Sequence, residues 1–194
     1  TLIQVEGSQE AQPITARIIS VTKSDSGNNL ILGIDDKKNL LRFSDTSELT
    51  NEFQEGDVIE CMPSKAYGNS ITLDSNSFVR KLENDESIPS LSKLRTRIND
   101  VKVDGNYCVE AIVLKVPERR EVQTKTGESI ALGEMYVEDD TAPITVKGWR
   151  NQARLLDNFS IGEIVSITGL TAKSGLENKI ELFLTAFSSI KKKN

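Results

Sequence analysis

The chain has 194 residues, 37% of them hydrophobic and 27% charged, with a net charge of −5 and no histidine. That length suits one large domain or two small ones, no apolar run approaches the length of a membrane span, and no signal-peptide pattern opens the sequence. The lack of histidine removes the usual general base, zinc ligand and triad partner; with no nucleotide-binding loop and no paired-carboxylate motif, the chain does not read as an enzyme.

Taken in chain order, the first half predicts a strand over 14–22 and a second over 30–35, which turns at Asp36-Lys37-Lys38-Asn39 into a third over 40–43. A short helix-like stretch follows at 46–53, then a Gly-acid pair opens a fourth strand at 57–62, and a turn with Gly68 precedes a fifth at 70–74. Short alternating strands separated by turn residues argue a small closed β architecture. Residues 82–93, LENDESIPSLSK, are polar, contain Pro89 and lack apolar periodicity, as a linker does.

The second half repeats the order: strands at 107–116, 131–138 and 144–149, a helix-like stretch at 151–158, and strands at 163–170 and 179–187. NEFQEGDVI (51–59) and DNFSIGEIV (157–165) share Phe, Gly, an acid and a β-branched residue at an offset of 106. That period is too long for a solenoid and fits a duplicated small domain. The expected organisation is therefore all-β, with two tandem OB-folds: 1–84, a linker at 85–94, and 95–194. Each is a five-stranded barrel with a short helix between strands three and four. The first half carries 8 Lys and Arg against 13 Asp and Glu, the second 15 against 14. Neither has the basic excess of a nonspecific duplex binder. Cys61 and Cys108 form no CxxC pair and read as small buried residues.

The only tryptophan sits in TAPITVKGWR (141–150). With a tight turn near Asp140-Thr141, Val137 faces Ile144 and Met135 faces Val146 on an apolar side. Tyr136 then pairs with Thr145, Glu134 with Lys147 and Leu132 with Trp149 on the other side. Trp149 and Tyr136 thus project away from the core, where an OB-fold lays an oligonucleotide; the competing reading has Trp149 sealing the barrel or packing under the helix. In the first half Phe43 is the companion ring, with ambiguous parity because Leu40 and Leu41 fall on both faces. Tyr67, in the Gly-containing loop before the fifth strand, reads as an exposed stacking ring. Candidate phosphate partners are Arg119, Arg120 and Lys125 in PERREVQTKTG, which is either a solvated ribbon tip or a gripping finger. Lys147, Arg150 and Lys173 of the second half join them, with Lys65 and Arg42 of the first. The terminal Lys191–Lys193 run reads as a frayed tail.

VEAIVLKVPERREVQTKTGE, YVEDDTAPITVKGWRNQARLL and SIGEIVSITG in the second half, and more loosely RFSDTSELTNEFQEGDVIE in the first, resemble the archaeal and eukaryotic replication protein A family of tandem OB-fold single-strand DNA-binding proteins. The resemblance implies binding of single-stranded DNA with little sequence preference in replication, repair or recombination. It also implies a DNA-associated location and other replication protein A subunits or repair proteins as partners, and no cofactor. It further implies two stacking positions per domain, mapping to Phe43 and Tyr67, and to Trp149 and the Leu176 region; Leu176 departs from the expected aromatic. The family's zinc module needs clustered cysteines, which this chain lacks. An OB module for protein contacts, especially the acidic first half, and an RNA-binding OB unit are the competing readings.

Overall fold

The computed structural model describes residues 12–193. In the first half, β1 (Ile14–Lys23), β2 (Asn29–Ile34), β3 (Leu40–Asp45), β4 (Val58–Met62), β5 (Lys65–Tyr67), β6 (Ser70–Leu73) and β7 (Phe78–Leu82) form one sheet in the order β5-β6-β3-β2-β1-β4-β7. It curls into a half-barrel around Ala16, Ile18, Ile31, Leu41, Phe43, Ile59, Ile71 and Leu73. In the second half, β8 (Asn106–Val113), β10 (Ser129–Glu138), β11 (Pro143–Trp149), β12 (Ile164–Ser174) and β13 (Ile180–Phe183) close into a barrel through the parallel β11–β13 contact. Two strands lie outside that ring: β9 (Glu118–Gln123) pairs β10, and β14 (Ser189–Lys193) pairs β12. The architecture is two tandem OB-folds, as the order of signals predicts.

The duplication runs further than the five-strand unit. β7 lies antiparallel on β4, and β14 lies antiparallel on the equivalent stretch of β12. Each half therefore carries an extra strand added to strand four. This corrects the tail expectation: Lys191, Lys192 and Lys193 sit in β14 and pair with Glu55, Glu163 and Glu110. A paired strand holds them in register.

The helix-like stretch at 46–53 is instead a run of turns. The buried Asp45 carboxylate accepts from the backbone N–H groups of Ser47, Leu49 and Thr50, so it takes the donors a helical turn would use, as short polar side chains do. In the second half residues Arg150–Leu156 form a 3-10 helix, seating Ala153 and Leu156 on the barrel end. Gly133 makes that contact possible, since a Cβ there would lie 3.0 Å from Leu156 Cδ1 and 3.1 Å from the Ala153 carbonyl.

The segment at 85–94 is anchored by a few residues rather than free along its length. Ile88 is 2% exposed and joins Ile19, Leu32, Ile34, Val58 and Cys108, with Leu91 and Leu94 against them. Arg17 fastens the chain there, donating to the carbonyls of Asp85 and Ile88 at 2.8 and 3.1 Å. Strand alternation sends consecutive isoleucines to two cores, Ile18 to the half-barrel and Ile19 to this second cluster. Burying each such side chain is worth about 1.5–3 kcal/mol. The halves also touch directly: Thr22 Oγ1 donates to the Ala186 carbonyl at 3.0 Å, and Asn151 Nδ2 to Asp25 at 2.6 Å.

The β10–β11 turn depends on Asp139, whose carboxylate accepts from the N–H groups of Ile98, Thr141 and Ala142. Partial burial raises this carboxyl, but the hydrogen bonds from Thr141, Ile98 and Ala142 outweigh it and hold the group below the usual carboxylate range. A depressed folded-state value means stability present above the unfolded value near 3.8 and lost as pH falls through the folded one. Asp139→Asn is therefore expected to lower stability by about 1 kcal/mol at neutral pH and to flatten the acid side of the unfolding-midpoint profile. Circular dichroism melts from neutral pH down to about pH 2 check both.

Candidate nucleic-acid interface

The β10–β11 hairpin fixes the site. Its register pairs Leu132 with Trp149, Glu134 with Lys147, Met135 with Val146, Tyr136 with Thr145 and Val137 with Ile144, the pairing the sequence predicts. Met135, Val137, Ile144 and Val146 are in the barrel core. Tyr136, Lys147 and Trp149 take the opposite face, and both rings are half-buried and outside every core cluster. Leu132 shares that outer parity yet is 2% exposed, so the row opposite Trp149 is drier than a polar face would be.

Beside these strands runs a groove of about 740 Å³ lined by Tyr136, Thr145, Lys147, Leu176, Lys179 and Glu181, among others. It brings the strand-two and strand-three positions together with the loop before strand five. Leu176 stands 87% exposed at the mouth, an apolar side chain presented to solvent where an aromatic is expected. Phe183, absent from the sequence-based set, belongs to this face. It lies opposite Lys147 in the β11–β13 register, half-buried, with Lys173 Nζ 5.3 Å from its ring centroid. The alternation in KIELF, with Leu182 inward, was the signal that could have found it. Lys115 covers one face of Tyr136 at 5.4 Å.

Four of the eight predicted cations are engaged in ion pairs. Arg119 pairs with Asp157, Arg120 with Glu134 at 3.1 Å, Arg150 with Glu128 at 2.9 Å and Lys147 with Glu181 at 2.7 Å. The hydrogen bond and charge of Arg150 hold the Glu128 carboxyl below its ordinary range. Arg119, Arg120 and Lys125 belong to the β9–β10 hairpin, β9 carrying the first two and the turn the third, so the finger is an ordered ribbon whose tip is exposed.

The first half offers a different surface. Phe43 is 0% exposed in the half-barrel core, its Cε2 3.0 Å from where a Gly33 Cβ would stand. The stacking expectation for Phe43 is therefore corrected: its parity follows Leu41, not Leu40. Tyr67 is 90% exposed at the end of β5. It lies opposite Ser70, which lies opposite Arg42, so Tyr67 and the exposed Arg42 share a face two strands apart, about 10 Å; Lys65 is also exposed. The outer side of β2 is closed, since Leu32 and Ile34 pack under the 85–94 segment.

No protein-family model matches the chain, and no curated protein matches it in sequence. Solved structures do. An Ifi202 HINa domain in complex with 20-bp double-stranded DNA aligns over 94% of this chain and 96% of its own, at 13% identity and a TM-score of 0.62. A murine DNA-binding protein bound with double-stranded DNA aligns over 94% and 97%, at 12% identity and 0.59. The structure of a replication protein A heterotrimer bound to single-stranded DNA aligns over the whole chain and 52% of the other, at 16% identity and 0.60. At these identities the likeness is one of fold: the chain belongs to the class of tandem OB-fold structures. Among the described residues no helix is long and apolar enough to cross a membrane.

Proposed function

We propose that the chain binds single-stranded nucleic acid with little sequence preference, in the manner of replication protein A during DNA replication, repair or recombination, alongside other subunits of such an assembly. One observation carries the reading: Trp149, Tyr136 and Phe183 are held outside the core on one face, beside a groove that contains Lys147 and Lys179. An aromatic ring left out of a core is costly unless used, and stacking on a base repays about 1–3 kcal/mol. The first half, acidic and with its β2 face covered, serves mainly to brace the second barrel, adding Tyr67, Lys65 and Arg42 at its far edge.

Structural neighbours bind both duplex and single-stranded DNA. Half-buried rings held outside the core favour the single strand, because bases in a duplex are already stacked on one another. Trp149 is the sole tryptophan, so its fluorescence reports this site. Titration with a single-stranded DNA oligonucleotide is expected to quench it, with log affinity falling on log salt by about 0.7 per phosphate contact; RNA of the same sequence and the matching duplex are the comparison arms. Unchanged emission with no binding by an independent method would remove the reading.

A further inference from the structure

Three candidate phosphate partners near the groove, Arg150, Arg120 and Lys147, are each joined to a carboxylate on the same surface, while Lys179 in the groove wall pairs only loosely with its neighbour Glu177 at 3.8 Å. Arg150 is held by Glu128 from the β9–β10 turn, Arg120 and more distantly Lys147 by Glu134, at 3.1 and 3.9 Å, and Lys147 by Glu181 at 2.7 Å. Three carboxylates on three elements thus meet three cations. Exposed pairs of this kind contribute only about 0–1 kcal/mol to folding; the Lys147–Glu181 pair is the most enclosed, its side chains 18% and 15% exposed.

We propose that Glu128, Glu134 and Glu181 set the selectivity of the groove by competing with phosphate for its cations; this rests on the nucleic-acid reading above. A free cation that meets a phosphate releases the counterions condensed there, which drives nonspecific duplex binding. A cation already paired exchanges one anion for another, and the freed carboxylate recruits a counterion of its own. The net release at each contact falls toward zero, and so does the electrostatic gain. What remains is stacking on Trp149, Tyr136 and Phe183, which only unstacked bases supply. The carboxylates act as a built-in competitor that a duplex must displace without compensation.

The test compares the wild-type chain with Glu128→Gln/Glu134→Gln/Glu181→Gln, using oligothymidylate and a mixed-sequence duplex of equal length between about 50 and about 200 mM salt. Freeing three contacts is expected to steepen the log–log salt slope by up to about 2.7 for the duplex and about 2.1 for the single strand. The preference for the single strand then narrows roughly sixfold at about 50 mM salt, from the difference in release at each contact. Glu128→Gln alone, at an exposed position in the hairpin turn whose side chain bonds Arg150, avoids any folding cost at Glu181 and gives about one third of the effect. A control, Glu52→Gln/Glu83→Gln/Glu86→Gln, removes the same net charge from exposed sites in the first half and the linker. Unchanged slopes in the groove variants, or equal changes in the control, overturn the proposal. A wild-type chain that binds neither polymer fails the binding reading itself, and this inference with it.

Discussion

Trp149→Ala is expected to weaken single-strand binding by about 1–3 kcal/mol, roughly 5- to 150-fold, while the second barrel stays folded. The ring belongs to none of the core clusters, so its removal creates no cavity among the aliphatic side chains that hold the barrel. Its cross-strand neighbour Leu132 is 2% exposed. Losing the indole uncovers part of that side chain, which puts the stability cost at about 1 kcal/mol. Trp149→Phe keeps an aromatic surface and is expected to recover most of the affinity. Binding is measured by anisotropy of a labelled oligonucleotide, because the variant has lost the intrinsic fluorophore, and folding by near-ultraviolet dichroism and thermal melts. A Trp149→Ala protein that melts well below the parent, with affinity per folded molecule intact, would mean that the indole is structural.

The second half was legible because its hairpin alternates cleanly. Tyr136 and Trp149 interleave with Met135, Val137, Ile144 and Val146, and the short turn leaves a single register that puts all four aliphatics inside. The first half was not, and the reason is physical. In NLILGI every residue of β2 is buried, since the inner face serves the half-barrel and the outer face the cluster around Ile88. A strand covered on both sides loses its period-two signal. The same two-sided burial explains why Leu40 and Leu41 pack in different cores and why the parity of Phe43 was ambiguous. The composition of 82–93 suggested a free linker because its two decisive apolar residues, Ile88 and Leu91, are isolated among polar ones. Nothing local says that another sheet waits to receive them. Strand β14 was missed for the opposite reason: its lysines look solvated, and only the ladder to β12 reveals a strand. Phe183 was missed at the scale of one residue, although the strand holding it was found.

Phe43→Ala should separate the two kinds of aromatic in this chain. The ring is 0% exposed, packed with Ile31, Leu41, Ile71 and Leu73 and pressed against Gly33. Truncation leaves a cavity that a sheet held on both sides cannot collapse into, and the expected loss is about 3–5 kcal/mol. That is a large part of the stability of a domain this size, so the first half is expected to melt far earlier than in the parent. Its unfolding would also release Ile19, Leu32 and Ile34 from Ile88, and the brace on the second barrel goes with them. The barrel keeps its own closed sheet and core, so at temperatures where the first half is still folded, quenching of Trp149 by oligonucleotide should match the parent. The profile is the mirror image of Trp149→Ala: stability lost and affinity kept, against affinity lost and stability kept. A Phe43→Ala protein with a normal melt and weakened binding would place that ring on the nucleic-acid surface and contradict the burial on which the first half is built.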